Sequence, residues 1–501
     1  MLDLGRTFLQ SVERNPGATG LVDGAVRLTY ETWALRVGGV MRGLASLGLK
    51  RGDHLLSVLQ NRHQAATLHW ACQFMGVVIT PLNWRAKGAE IDYCLDDSGA
   101  RVLIAEPDGA SALAASRLAA GVIRVDIGAG SQFDAWLADA CEPVPQASAG
   151  DLSLMLYTSG TTGKPKGVPR HQRAERMAAL AHVAQNQYGY GERTLGVMPL
   201  YHTMGVRSLL ALALIDGRFV CMPKFDAAVA IAGIAAERVT HLYLAPTLYH
   251  DLISNEQFAR TDVTSVRKLG FAGAPMHDAL LLRLVAAFKP ALFVNHYGSS
   301  EIYTFAINQD AAAKPGSAGR AGINTRLRVA RLDAETPNDL VPAMQEGQII
   351  ADLAGDESFE GYHKRPDANA KSLREGWYFT GDTGYFDCDG DLFVTGRVDD
   401  MIISGGENIS PVDIESALSL HPAVDEVAVA GLADERWGQR VVAFVKRRAE
   451  VSADALDAHC RASAMVNFKR PREYVFVRAI PKSPVGKILR RMLVAGEYER
   501  E

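Results

Sequence analysis

The sequence predicts an α/β protein of two domains: a large one over residues 1–397, built of layered sheets and helices, and a small α+β one over residues 398–501. Three observations lead there. At 501 residues the chain is longer than one hydrophobic core usually supports, so its interior is expected to divide. Short runs of β-forming residues alternate with longer Ala- and Leu-rich stretches of helical pattern, as in helices layered on largely parallel sheets. From Asp382 onward the texture changes to many short strand runs separated by turns.

Along the chain the strand runs are 102–105, 195–198, 219–222, 241–244 and 292–294. His202 follows one of them and Tyr297-Gly298-Ser299-Ser300-Glu301 another, where ligands of such sheets sit, beyond the strand ends. Residues 141–150, CEPVPQASAG, read as a loop leading into the next strand, and Gly128-Ala129-Gly130 lacks the third glycine of a dinucleotide fingerprint. Asp389-Gly390 and Ser404-Gly405-Gly406 read as turns. Ser410 before Pro411, with Asp413 in the first turn and Ile414 and Leu418 on one face, reads as the capped start of a helix.

Composition excludes several functions. A net charge of -4 gives no general attraction to nucleic acid or anionic membranes, and no apolar run is long enough to cross a bilayer. Residues 1–10 lack the basic start and apolar stretch of a secretory signal, so the cytoplasm is the expected compartment. Six cysteines lie far apart with no C-x-x-C pair, which argues against a zinc site or a disulfide framework. The Asn408-Ile409-Ser410 sequon is therefore incidental.

Residues 157–167, YTSGTTGKPKG, restrict the chemistry most. Gly160, Gly163 and Gly167 remove the Cβ atoms that would hold a polyanion off the backbone. Thr158, Ser159, Thr161 and Thr162 offer hydroxyls, and Lys164 and Lys166 offer positive charge. Such a segment suits a triphosphate. It is not a Walker A loop, which needs glycine where Thr158 stands and Ser or Thr where Pro165 stands. Pro165 also removes a backbone donor and discourages a helix through the segment, so a mobile loop is expected to grip the phosphates.

Four further blocks follow in order: YGSSE at 297–301, YFTGD at 378–382, GRVDDMIISGGENI at 396–409 and PKSPVGKILRR at 481–491. With the phosphate segment, and essentially end to end, they resemble the acyl-adenylate-forming superfamily of acyl- and aryl-CoA synthetases. The likeness is strongest to aromatic acid CoA ligases, notably through RWGQ at 436–439 and FKRP at 468–471.

The resemblance implies an AMP-forming acid–thiol ligase that uses ATP, Mg²⁺ and coenzyme A. It places Lys487 between the acid's carboxylate and the α-phosphate as the catalytic cation, with Glu301 on the metal and Asp382, joined by Arg397, on the ribose. Gly273, Ala274, Pro275, His296, Tyr297, Gly298, Ser299 and Ser300 complete the nucleotide site. His202 would lie against the acid's carboxylate, and Thr203, Tyr243, Gly273, Ala274, His296, Ile302 and Tyr303 would line the acid pocket. Asp399 matches the hinge about which the small domain rotates between the two half-reactions. Gly405, Gly406, Glu407 and Asn408 would then reach the acyl-adenylate, while Arg85, Trp437, Phe468, Arg470 and Arg472 match coenzyme A contacts.

Flat apolar walls with polar tips suit a planar ring bearing a hydrogen-bonding group. His296 in place of an aliphatic residue favours a hydroxybenzoate or hydroxycinnamate over a halogenated ring. A short, medium or dicarboxylic aliphatic acid is the alternative substrate, and a homodimer is left open. The motif carries Ser300 where the family usually has Thr.

Overall fold

The computed structural model describes residues 2–158, 165–463, 465–482 and 488–501, and nothing of the Asp399 and Asn408 side chains. Of the residues singled out above, Ser159, Gly160, Thr161, Thr162, Gly163, Lys164 and Lys487 lie outside the described residues.

Three sheets organise the chain. In the first, strands 123–126, 102–105, 54–58, 78–82 and 152–158 run parallel, and Lys166–His171 closes it antiparallel to Leu152–Thr158. In the second, Leu292–Tyr297, Lys268–Phe271, His241–Leu244, Arg193–Gly196, Arg218–Cys221 and Thr19–Asp23 form a parallel series. The predicted strand runs all fall in these series, to within two residues at their starts.

The expected parallel order ends at Leu292–Tyr297. From Ala306–Asn308 the second sheet continues antiparallel through Ser317–Ala321, Leu392–Arg397, Trp377–Phe386, Gly347–Asp352 and Leu327–Ala330. Short turns such as Asp387 to Asp391, where Gly390 N donates to Asp387 O, let neighbours reverse without a crossover helix. The change of texture read at Asp382 thus begins earlier, and Trp377–Phe386 belongs to the large sheet.

The third sheet is small: Glu407–Ile409, Ile402–Ser404, Gly438–Arg447 and Val424–Asp434 in order, with Glu473–Phe476 parallel to Gly438–Arg447. It has its own core, in which Ile402, Ile414, Leu418, Val429, Val441 and Leu456 pack together. Pro411–Ser419 is the helix expected after Ser410, but the Ser410 hydroxyl does not cap it. That hydroxyl donates to the Thr395 carbonyl, tying the helix start to the large sheet. His250, on a large-domain helix, lies 3.2 Å from Asp425 of the small one.

Packing in the large domain follows from composition. Phe8 sits 4.7 Å from Trp70 and 5.1 Å from Trp33, ring centre to ring centre, with all three rings buried. Truncating either indole to alanine would cost about 3–5 kcal/mol. Thr203–Leu214 is apolar on nearly every face and buried up to its last residue, as its Leu- and Ala-rich sequence dictates, and Arg207 is the one charged residue in it. Among the described residues no helix is long and apolar enough to cross a membrane, and all six cysteines are free.

Candidate active site

Three neighbouring parallel strands, His241–Leu244, Lys268–Phe271 and Leu292–Tyr297, end side by side, with Tyr243, Gly273 to Pro275 and Tyr297 to Glu301 at or just beyond their carboxyl ends. Backbone direction alone gathers these groups. Gly273, Pro275 and Gly298 are exposed there, Ala274, Ser299 and Ser300 are half-buried, and Glu301 is buried. The Glu301 amide donates to the Ser299 hydroxyl at 3.3 Å, which holds the turn.

Glu301 is held by aromatic groups. The Tyr362 hydroxyl donates to its Oε1 at 2.7 Å and lies 3.2 Å from the Tyr378 hydroxyl, while Lys166 Nζ stands 4.1 Å from the Tyr362 ring centre. Burial draws the Lys166 ammonium below its usual pKa, and the Glu301 carboxylate opposes the shift. Thr158 and Lys166 face each other across a strand pair, so both described ends of the phosphate segment meet at one place.

Asp382 is fixed from two sides: the Tyr297 hydroxyl donates to Oδ2 at 2.6 Å, and Arg397 Nη1 lies 3.0 Å from Oδ1. Burial, then the Asp382 charge, pushes the Tyr297 phenol well above its usual pKa, so it stays a donor. A carboxylate braced in this way keeps its direction, as an acceptor for vicinal hydroxyls must.

Behind Glu301 runs a buried ionic network. Arg170, fully buried, pairs with Glu175 at 2.8 Å and donates to the backbone carbonyls of Glu301 (2.8 Å) and Glu357 (2.6 Å). The Tyr303 hydroxyl donates to Glu175 at 3.1 Å. Glu301 thus offers one oriented carboxylate, the donor set that suits a magnesium ion bound chiefly through a nucleotide's phosphates. A second acidic group, Asp387, Asp389 and Asp391, is already filled by Lys314, whose Nζ lies 2.5, 2.9 and 2.6 Å from the three carboxylates.

The residues expected in the acid pocket divide. His202 is half-buried at the start of Thr203–Leu214, its Nδ1 accepting from Met204 N at 3.3 Å. Thr203 is buried beside it, and Met204 packs with Met198, Tyr243, Ala245 and Ala272. Tyr243 and His296 meet His182: the three ring centres are 4.7, 4.9 and 5.2 Å apart. Arg207 donates to the Tyr243 hydroxyl, to Tyr303 O at 3.2 Å and to Thr304 Oγ1 at 2.8 Å. Ile302 is not part of this group; it packs with Val168, Phe305, Phe359 and Tyr362.

On the small domain, Gly405 N donates to Trp437 O at 2.9 Å, and a Cβ at Gly405 (φ +62°) would lie 2.8 Å from the indole, so only glycine permits this approach. Arg472 and Arg436 stand 4.3 and 4.8 Å from the Trp437 ring centre. Gly406, Glu407 and Phe468 are exposed. Arg470 instead pairs with Asp457 at 2.9 Å, and Arg85 lies 3.9 Å over Trp84 in the large domain.

Tyr362, Arg170, His182, Asn186 and Arg207 were not singled out from the sequence. Arg207 left a signal, a lone charge inside an apolar helical run, as did His182 among alanines. Tyr362 and Asn186 left none.

Fixed acidic, aromatic and cationic groups gathered near strand ends, on a large α/β domain carrying a small α+β one, are consistent with an adenylate-forming enzyme. The family model described as AMP-binding enzyme matches residues 8–363, and that of the AMP-binding enzyme C-terminal domain matches residues 413–487. The chain belongs to this acyl-adenylate-forming family, and it is an AMP-forming ligase that joins a carboxylic acid to coenzyme A. It is 34% identical over 501 residues to 4-chlorobenzoate–CoA ligase of Arthrobacter sp, covering 96% of this chain and 93% of that one. It is 31% identical over 503 residues to a long-chain-fatty-acid–CoA ligase of Mycobacterium tuberculosis, covering 98% of each. The fold superimposes with a TM-score of 0.92 on an anthranilate CoA ligase in complex with anthranoyl-AMP, at 25% identity, covering 99% of this chain and 97% of that one.

Proposed function

We propose that the acid is aromatic and hydroxylated, of the hydroxybenzoate or hydroxycinnamate kind. The observation that carries this reading is the group of buried, mutually packed rings formed by His182, Tyr243 and His296, flat faces with polar tips near the strand ends. The likeness to a chlorobenzoate and an anthranilate ligase supports a ring substrate.

In the first half-reaction the acid's carboxylate attacks the α-phosphorus of ATP, the bond to the β-phosphate breaks, and pyrophosphate leaves. Two anions at ~4 Å repel by about 4 kcal/mol at an effective dielectric of ~20, so cations must stand between them. Lys487 is assigned that place. Thr158 to Lys166 would grip the β- and γ-phosphates, Glu301 would hold Mg²⁺, whose charge would screen the phosphates, and Asp382 would accept from the ribose hydroxyls with Arg397 bracing it. His202 orients the incoming carboxylate.

In the second half-reaction the thiolate of coenzyme A attacks the acyl carbonyl and AMP departs. We assign this step to a rotation of residues 398–501 against 1–397 about Asp399, bringing Gly405 to Asn408 to the adenylate and the Trp437 face to the nucleotide of coenzyme A. Asp399→Pro, which restricts that backbone, is expected to spare pyrophosphate exchange and impair thioester formation.

A second reading, a linear or dicarboxylic acid, draws on Arg207, a buried cation beside Tyr243, and on the likeness to a fatty-acid ligase. A panel of ring, linear and dicarboxylic acids, followed by coenzyme A-dependent AMP release, separates the two. Turnover confined to linear acids would overturn the aromatic assignment.

A further inference from the structure

We propose that Asn186 sets His182 and His296 as one hydrogen-bond donor and one acceptor, and that this pair reads a hydroxyl on the acid, selecting hydroxylated acids over plain and dicarboxylic ones. The proposal rests on the ring-acid reading above and adds to it a rule for which ring.

The protonation pattern follows from Asn186. Helix Gln172–Gln185 ends at this residue, and its side-chain nitrogen donates to the His182 carbonyl at 2.8 Å. A carbonyl oxygen only accepts, so the amide orientation is settled. The same NH₂ lies 2.9 Å from His182 Nδ1, which must therefore accept, leaving the proton of a neutral His182 on Nε2. The amide oxygen lies 3.0 Å from His296 Nε2, which must therefore donate, leaving Nδ1 of a neutral His296 with a bare lone pair. His182 Nε2 and His296 Nδ1 are both buried without a partner.

Both rings stay neutral. Burial, then the Arg207 cation, holds each well below the usual histidine pKa, with His296 and His241 adding to the effect at His182. Among a hydroxyl, a carboxylate, a halogen, a methyl group and hydrogen, only the hydroxyl both accepts from N–H and donates to a lone pair. A second carboxylate brings no proton for His296 Nδ1 and meets its lone pair instead. A halogen, a methyl group or hydrogen satisfies neither atom, and a site built to bond a hydroxyl rejects analogues without one strongly. Arg207 already donates to Tyr243, Tyr303 and Thr304, and only its buried Nε–H is left without a partner, so a carboxylate would meet a cation whose terminal nitrogens are engaged.

The backbone makes room for this arrangement at Gly270, opposite Tyr243 on one side and Val294 on the other. A Cβ there would stand 3.1 Å from Tyr243 Cδ2, 3.5 Å from Asn186 Oδ1 and 3.7 Å from His296 Nε2. A bare strand position lets phenol, amide and imidazole converge.

The test compares kcat/KM at saturating ATP, by pyrophosphate release, for 3- and 4-hydroxybenzoate, 4-hydroxycinnamate, their unsubstituted parents, terephthalate, hexanoate and 6-hydroxyhexanoate. The unaltered enzyme should favour the best hydroxylated ring over its parent and over terephthalate by on the order of 100-fold. In His296→Leu and His182→Leu that ratio should fall to a few-fold. Asn186→Asp, nearly isosteric, should lower it too, because a carboxylate accepts from both imidazoles and moves the His182 proton to Nδ1. A ratio near one in the unaltered enzyme overturns the proposal, as does an unchanged ratio in any of the three variants that folds. If only linear acids react, the aromatic reading fails separately. The donor–acceptor rule then survives if 6-hydroxyhexanoate exceeds hexanoate by a comparable factor, and falls if it does not.

Discussion

The wall proposed to hold the nucleotide on the large domain and the Trp437 face of the small one are made of similar residue types, yet they are built in opposite ways. On the wall, Glu301, Asp382 and Tyr297 are each held by a second group, and that group is itself buried or paired. On the Trp437 face two arginines stack over one half-buried indole, and Phe468 is 41% exposed. The first surface is organised before any ligand arrives; the second is open. An adenylation step that must align a polyphosphate with a carboxylate gains from rigid groups, since misplaced charge loses its effect steeply with distance. A surface that docks a long flexible co-substrate can rely on stacking and on charge at its rim.

The sharpest way to break this contrast is to remove the cation assigned to the reacting centre. Lys487→Ala should lower acid-dependent pyrophosphate exchange by roughly 10²- to 10³-fold, the usual effect of deleting one group aimed at developing negative charge. Exchange at the wild-type rate would leave adenylation without its proposed cation.

Next comes the braced carboxylate. Asp382→Asn keeps the shape but removes the charge that Tyr297 and Arg397 hold in place. Hydrogen bonds to charged groups contribute about 1.5–3 kcal/mol, so kcat/KM for ATP should fall roughly 10- to 150-fold, with the KM for coenzyme A little altered. Equal losses for both co-substrates would mean that the wall and the open face are not separate. Tyr362→Phe is milder: one hydrogen bond to Glu301 is lost while the ring beside Lys166 remains. Tyr362 acts only through Glu301, so only part of that bond's energy reaches the reaction, and a drop of about threefold to tenfold in adenylation, partly restored at high Mg²⁺, is expected.

The sequence announced the locked wall less completely than its parts suggest. Glu301, Asp382 and Arg397 were legible because each sits in a short, unusual block, and the parallel strand that ends just before Glu301 was visible as a run of β-formers. Their supports were not. Tyr362 reaches Glu301 across 61 positions, and Arg170 reaches it across 131, and nothing local marks either one as a partner. The antiparallel half of the large sheet was also missed in part, because its strands are paired by turns rather than by helices with a readable period. Ile302 shows the opposite failure. The resemblance placed it in the acid pocket, but it lies in the bend between Leu292–Tyr297 and Ala306–Asn308, and its side chain joins the core with Val168, Phe359 and Tyr362.

The open face sets the smallest expected effect, and the one that best tests whether it is separate. Trp437→Ala removes the indole under Arg436 and Arg472. An exposed cation–π contact contributes about 0.5–1 kcal/mol, so the KM for coenzyme A should rise roughly two- to fivefold. Pyrophosphate exchange, which needs no coenzyme A, should hold its rate. A comparable loss in exchange would show that the indole also supports the conformation in which the adenylate forms, and the division between a rigid first site and an open second one would then have to be abandoned.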